Sequence, residues 1–474
     1  MAVSAVDRRQ GRMREELDSK SRAASSDVSS WRARLAAPAS LLAAIAVSLA
    51  GAACDPRGSG RDDIPAPPPA PHAAEGVAEL DLGARAGEEE AEPPPPPTAA
   101  AEREGDPAHP GPETAAERVG IKALGDGAAY DAATEARLLE ALRHRDQDVR
   151  GLAAWALGRH APASRAGIPA LIEALADPVW AVSHNAVWSL VRFPADLVEP
   201  GLVAALADAS PARRVRAAGA LLDMGSPPSR EPAVEGALVS GFDAADDALR
   251  VVAVVTMGRV EAASQEVVRR LVEALSAEDH LLRGAAAASL AEVGPRARAA
   301  VPALIAAAGD GDTNVRSAAF TALGRIGEGS PEVLALLRET LDQPGDRVGD
   351  AATMALSALG ALDVLGETLE GGSGRAKRRA VAGIGAAETL EPPRVELLLR
   401  ALEDPDWLVR LGAAGAFAGH AMPEAVPALA RALADPHEAV SGQARATLHL
   451  MDLAEARSAL AAAPAAPPAE GADR

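Results

Sequence analysis

A short phrase returns about every 33 residues along this chain: an Asp-bearing turn, then Val-Arg, then a run of small apolar residues. The clearest copies are Asp148-Val149-Arg150 leading into Ala153-Ala154-Trp155-Ala156-Leu157-Gly158, and Asn314-Val315-Arg316 leading into Ala318-Ala319 and Ala322-Leu323-Gly324. The Arg-equivalent positions read Arg150, Ser183, Arg216, Arg250, Arg283, Arg316, Gly349, Arg379, Arg410 and Ser441, with spacings of 33, 33, 34, 33, 33, 33, 30, 31 and 31. A period of that length limits the fold to one supersecondary unit stacked on copies of itself.

A second phrase precedes the first in each unit, as Ile168-Pro169-Ala170-Leu171-Ile172-Glu173-Ala174-Leu175, Val301-Pro302-Ala303-Leu304-Ile305 and Val426-Pro427-Ala428-Leu429. Apolar residues at 168, 171, 172 and 175 fall on one helical face, with proline in the first turn; this is helix A. After a turn marked by Asp177-Pro178, Asp310-Gly311, Asp404-Pro405 or Asp435-Pro436, the Val-Arg phrase opens helix B, along which Val149, Ala153, Ala156 and Leu157 keep helical spacing. One such hairpin buries too little apolar surface to offset its ordering entropy, so each copy needs neighbours. Aromatic residues make up only 2% of the chain, and small side chains let helix axes approach closely. The expected fold is all-α: about ten two-helix repeats in a solenoid, with no strand.

At these residues the chain resembles HEAT repeats, most closely the short type associated with phycobilisome lyases. The resemblance covers roughly residues 131 to 455 and rests on the Asp-turn-Val-Arg phrase. It implies an α-solenoid that binds proteins on a concave face lined largely by helix B. It also implies that Arg150, Arg216, Arg250, Arg283, Arg316 and Arg410 form a structural ladder with the turn aspartates Asp177, Asp310, Asp404 and Asp435. Ser183, Gly349 and Ser441 depart from the pattern, and the eighth unit is shortened and interrupted by Gly371-Gly372-Ser373-Gly374.

Other candidate sites have plainer explanations. Gly309 to Asn314 begins like a calcium loop, but Val315 and Thr321 stand where a glycine and a later glutamate are needed, so it reads as a turn and helix cap. The nine histidines are scattered, there is one cysteine, and no His-Glu-x-x-His, Gly-x-Ser-x-Gly or Gly-Lys-Ser/Thr motif occurs. No catalytic, cofactor or metal site is therefore expected. Arg375, Lys377, Arg378 and Arg379 form a rare basic cluster that either contacts an acidic partner or phosphate, or is a solvated turn. Trp155 and Trp188 occupy the same place in consecutive B helices, about 240° around from Val149 for Trp155, and so either pack between repeats or form a recognition patch.

The first 54 residues read as an export signal, with Arg32 and Arg34 ahead of an apolar run from Leu35 to Ala53; Met13 is an alternative start. Cys54 follows Gly51-Ala52-Ala53 in a placement that resembles a bacterial lipoprotein's lipid-attachment cysteine, an uncleaved anchor and ordinary cleavage being the alternatives. Residues 55–118 hold Pro65 to Pro71 and Pro93 to Pro97 around Glu88-Glu89-Glu90, with a net charge of −10, and are expected to be a disordered, self-repelling spacer. The solenoid is expected over 119–460 and a second disordered tail over 461–474. The chain carries −20 in all, a poor match to a phosphate backbone, so nucleic acid is excluded as a partner.

The combined expectation is a non-enzymatic scaffold of the bacterial cell envelope, lipid-anchored at a membrane and binding a protein or peptide. A bilin lyase-like enzyme or subunit and a purely structural envelope assembly factor are the alternatives. One substitution tests the anchor: Cys54→Ala should remove acyl mass from the purified protein and shift it to the aqueous phase in detergent partitioning. Unchanged partitioning would mean that a spanning segment holds it. Stable attachment requires more than one acyl chain, because a single one binds only marginally.

Overall fold

Helix A opens where proline costs no hydrogen bond. Ile168-Pro169, Val301-Pro302 and Val426-Pro427 each follow a short 3₁₀ turn and place the ring in the first helical turn. Helix B opens on a capping side chain: Asp146, Asp246, Asp279, Asp312 and Asp406, or Ser210 and Ser373, accept backbone N–H groups two or three residues on.

The computed structural model describes residues 112–127, 130–225, 231–244 and 246–463. The export segment, Cys54 and the spacer up to residue 111 lie outside the described residues, as does the tail from 464. Every described element is helical. A first compact unit, ending at Phe193, holds α1 (Pro112–Asp126), α2 (Ala132–Ala141), α3 (Gln147–Arg159), α4 (Ile168–Ala174) and α5 (Trp180–Leu190).

A second unit, from Pro194, holds α6 (Ala195–Ala205), α7 (Pro211–Asp223), α8 (Glu231–Phe242), α9 (Asp247–Met257), α10 (Gln265–Ala274), α11 (His280–Val293), α12 (Val301–Ala307) and α13 (Thr313–Ile326). It continues with α14 (Pro331–Thr340), α15 (Asp346–Ala358), α16 (Leu362–Gly371), α17 (Gly374–Gly385), α18 (Pro392–Ala401), α19 (Trp407–Ala416), α20 (Val426–Ala432), α21 (Glu438–Leu450) and α22 (Ala454–Ala462). Even-numbered helices up to α20 are A helices and each pairs with the B helix that follows. That makes two hairpins in the first unit and eight in the second, with α1 a lone B-type helix and α22 a lone A-type helix. Helix thus begins at Pro112, inside the range read as spacer. The reason is packing: Ile121 is buried and Arg118 forks onto Asp146, at 3.2 and 2.7 Å.

Within each hairpin the two apolar faces close on each other. Leu171 and Leu175 of the A side meet Val182, Ala186 and Leu190 of the B side, and all five are fully buried. Between hairpins of one unit, B helix packs on B helix, and the phrase-ending glycine decides how closely. A Cβ placed on Gly158, Gly258 or Gly324 would lie 2.8, 2.8 and 2.7 Å from the Cα of Ser189, Ser289 and Ala355 respectively. Real Cβ atoms do not approach a backbone atom so closely, so only glycine fits. The residue that meets the glycine is always 31 positions on, and Gly385 against Ala416 repeats the rule. Two of these contacts carry a hydrogen bond as well: Ser189 Oγ donates to the Ala154 carbonyl at 2.7 Å and Ser289 Oγ to the Val254 carbonyl at 2.9 Å.

The A–B turns are tied by charge. Arg150 Nη1 donates to the carbonyls of His144 and Arg145 in its own turn, while Nε and Nη2 fork onto Asp177 of the next repeat at 2.7 and 3.2 Å. Arg283–Asp310 and Arg410–Asp435 repeat the arrangement. The turn aspartates also accept the backbone N–H two residues on, as Asp310 does from Asp312 at 2.8 Å. Arg283 holds the Asp310 carboxyl below the usual carboxylate range, and Arg410 does the same to Asp435.

Several assigned rungs differ from the sequence reading. Arg214, not Arg216, is the residue four after its helix cap, and it makes the turn-carbonyl bonds to Asp208 and Ala209 while Ser240 replaces the aspartate. Arg250 bonds only Asp247 of its own helix and stacks 5.2 Å over Phe242, and Arg316 bonds its turn carbonyls and Thr313; neither reaches an aspartate of the next repeat. In the shortened unit Lys377 is the rung, 2.8 Å from Asp404. Arg379 instead reaches back to the carbonyls of Leu341, Gln343 and Gly345. It fills the space left by Gly349, where a Cβ would overlap its guanidinium. The missing arginine of one repeat is supplied by the next.

Two measurements check these contacts. Gly324→Ala should lower stability by about 1–3 kcal/mol through overpacking, whereas Gly236→Ala in α8, where an added Cβ meets nothing within 4 Å, should raise it by about 0.5–1 kcal/mol. A double-mutant cycle on Arg283→Ala and Asp310→Ala should give a coupling of about 1–2 kcal/mol at neutral pH. Because the Asp310 carboxyl titrates below its unfolded value, that coupling is fully present above about pH 4 and is lost as the pH falls through the lowered value.

Candidate interaction surface

On an α-helix, residues four apart stand on one face. Along α5 and its exit turn that spacing collects Trp180, His184, Trp188 and Arg192. The rings of Trp180 and His184 stack at 4.5 Å and 15°, and the Arg192 guanidinium lies 3.6 Å over the Trp188 ring. His184 and Arg192 are exposed; the two tryptophans are half-buried. On α3 the couple recurs, with Arg159 5.9 Å over Trp155 and likewise exposed. The two helices are locked in register by the Ser189 bond to Ala154 and by Asn185 Nδ2 donating to the Gly151 carbonyl at 2.9 Å.

The two tryptophans are not equivalent. Trp155 covers Gly125 of α1, where an added Cβ would lie 3.0 Å from its Cε3, so much of that ring packs between repeats. Trp188 lies beneath its arginine. Sequence reasoning found the tryptophans but missed the cations; the i+4 spacing of Arg159 and Arg192 was the available signal.

The basic cluster in the shortened unit does not form a free positive patch. Lys377 pairs with Asp404, Arg378 with Asp406 at 2.9 Å, and Arg379 is buried on backbone carbonyls, which leaves Arg375 as the exposed member. Gly309 to Asn314 is a turn and cap: Asp310 holds Arg283, and Asp312 accepts the amides of Asn314 and Val315. Of the three histidines that lie closest together along the repeats, His144 bridges Glu117 and the Asp146 amide, His160 bonds the Leu124 carbonyl, and His184 stacks as described.

Charge is unevenly spread. Residues 119–193 carry eight acidic and eight basic side chains, whereas 194–463 carry 37 acidic and 25 basic. At the end of helix B in the second unit, arginines are matched by carboxylates from the repeat before: Arg259 by Asp223, and Arg325 by Glu292 at 2.6 Å. Arg159, at the same helical position in the first unit, has an indole beneath it instead.

Among the described residues no helix is long and apolar enough to cross a membrane. The sequence pattern of HEAT repeats matches residues 134–223, 295–357, 362–449 and 395–471, together more than half of the chain. Among solved structures, importin beta in an ammonium sulfate condition superposes with a TM-score of 0.50 at 16% identity, over 72% of this chain and 54% of importin beta, a likeness of fold. An engineered protein matches at 20% identity over 71% of this chain and 95% of its own, with a TM-score of 0.36. The CpcE–CpcF complex of phycocyanin lyase from Nostoc sp. PCC7120 matches at 24% identity over 48% of this chain and 92% of its own, with a TM-score of 0.29. No curated protein matches the chain. With a repeat pattern over most of its helical part and hairpins packed B helix on B helix, the chain belongs to the HEAT repeat family.

Proposed function

We propose that this protein is a non-enzymatic interaction scaffold of the bacterial cell envelope. It is exported, held at a membrane through lipid on Cys54, and separated from that surface by its acidic Pro-rich spacer. It binds a protein or peptide on the helix-B face of its first unit. One observation carries the reading: Trp155–Arg159 and Trp188–Arg192 present the same aromatic and cationic couple on two adjacent helices in fixed register. Half-buried tryptophan and arginine are the residue types that dominate binding energy at protein interfaces. The ladder charges, by contrast, are consumed inside the chain.

Affinity capture with crosslinking from membranes tests this. Trp188→Ala should weaken capture of the partner by about 2 kcal/mol or more while the melting temperature moves little. Trp155→Ala should in addition lower stability by about 2–4 kcal/mol, because its ring fills space against α1. Capture unaffected by both changes would reject the scaffold face. A shift in bilin absorbance on mixing with the protein would favour the lyase-like alternative.

A further inference from the structure

We propose that residues 73–84 of this chain dock on the uncovered face of α1 and cap the first unit. Within a unit each B helix lies against the one before it, and α5 shows which positions do so. Ser189 and Asn185 of α5 donate to the Ala154 and Gly151 carbonyls of α3, and a Cβ placed on Gly151 would lie 3.9 Å from Val182. One repeat earlier the same positions are Val149, Leu152 and Ala156 of α3, all three buried. One repeat earlier again they are Ala116, Val119 and Ala123 of α1, and all three are exposed. At 70%, Val119 is the most exposed large hydrophobic residue among those described.

A stacked array needs its ends covered, and the second unit has such a cap: α22 packs on α20 and α21. The regular repeat cannot supply one ahead of α1. One period before Ala116–Ala123, positions 83–90 read Gly-Ala-Arg-Ala-Gly-Glu-Glu-Glu, with Pro93 to Pro97 just beyond, and nothing there could fill the place of Val149 or Leu152. Further upstream the sequence can. The large aliphatic residues of 55–111 are Ile64, Val77, Leu80 and Leu82, so three of the four fall within six residues. They sit in a proline-free run from His72 to Glu92, between the two proline runs. At 100° per residue, Ala73, Val77, Leu80 and Ala84 share one side of a helix, within about 60°. That stripe is the small and branched surface that the open positions of α1 lack.

Charge and reach agree with this occupant. The exposed Arg137 of α2 borders the α1 face, its Nη2 3.0 Å from where a Cβ on Gly120 would stand. Asp81, one helical turn from Val77, places a carboxylate beside the apolar stripe. The 27 residues from Arg85 to Gly111 span up to about 80 Å in a polyproline-like chain, whereas the 15 residues of α1 are only about 22 Å long. The segment can therefore fold back along α1 in either direction. Where lipid on Cys54 is the anchor, as in the reading proposed above, docking also sets the tether. The free spacer falls from the 57 residues of 55–111 to the 18 residues of 55–72, which is from about 175 to about 55 Å at full stretch. That consequence alone rests on the anchored reading.

Hydrogen exchange of the full chain, read by mass spectrometry and corrected for intrinsic rates, tests the docking. Residues 77–84 should exchange at least tenfold more slowly than residues 98–106, a proline-free stretch of the same spacer that serves as the internal reference. Val119→Asp, and separately Val77→Asp with Leu80→Asp, should bring the two stretches to the same rate while residues 132–193 stay protected. In a Cys54→Ala background, Leu80→Cys with Val119→Cys should form a disulfide within one chain and run as a monomer on a non-reducing gel. Equal exchange of the two stretches in the wild type, or protection of 77–84 that survives Val119→Asp, would overturn the assignment. Disulfide-linked dimers of Val119→Cys alone, with a dimer mass in solution, would overturn it too and give the face to a second copy. None of these outcomes touches capture of a partner at Trp188, so the scaffold reading stands or falls separately.

Discussion

The structure depends on how closely one B helix can lie on the next. At Gly158, Gly258 and Gly324 the approach leaves no room for a Cβ, and the partner residue 31 positions on is a serine or alanine. The usual cost of glycine in a helix, about 1 kcal/mol relative to alanine, is offset by what closeness permits. Two buried serines reach a backbone carbonyl of the preceding repeat, and short apolar side chains are fully buried between the helices. An array built on such contacts needs few aromatic residues. That accounts for a chain in which 48% of residues are hydrophobic yet only 2% aromatic.

Charge plays a second, more local part. The arginine fork joins two turn carbonyls of its own repeat to an aspartate of the next, so it fixes the angle between hairpins at the edge where the glycine contact does not reach. Where the rung is lost, the geometry is met by other means. Ser240 stands in for an aspartate, Phe242 takes the Arg250 guanidinium, and Arg379 crosses from the following helix into the space above Gly349. Arg214 and Arg379 still donate to turn carbonyls, whereas Arg250 bonds Asp247 of its own helix and reaches none.

Much of the fold was legible because its determinants are local. The period, the proline at the start of helix A and the aspartate cap of helix B all lie within a few residues of the structure they specify, and ten hairpins result. The misread positions depend on contacts between repeats. Arg216 and Arg214 are both plausible by spacing, and only the cap at Ser210 shows that Arg214 stands over the turn. Arg379 looks like a member of a basic patch until Gly349, thirty residues earlier, is seen to leave it a berth. The spacer range, ending at residue 118, takes in the first turns of α1, because their worth lies in a contact with the next repeat, the pairing of Arg118 with Asp146. The Trp–Arg face was half legible: a tryptophan repeat is visible in any sequence, but the arginine above it matters only once both are known to share a helix face.

The contrast between Arg159 and its counterparts Arg259 and Arg325 shows how a repeat protein can acquire a site without new architecture. Arg159 and Arg325 project from the last turn of helix B and Arg259 from the turn just beyond it, where a cation also complements the helix dipole. In the second unit the preceding repeat offers a carboxylate and the position becomes another inter-repeat bond. In the first unit Asp126 stands 33 residues before Arg159 but pairs with Lys122, and a tryptophan lies one turn earlier, so the arginine lies 5.9 Å over an indole and remains exposed. One lysine in the preceding helix and one tryptophan within the helix therefore leave a structural position exposed at the surface. Because the register between α3 and α5 is fixed by Ser189 and Asn185, the Trp–Arg couple occurs twice at a set distance. A single couple offers one point of contact, whereas two held in fixed register can be engaged together by one guest.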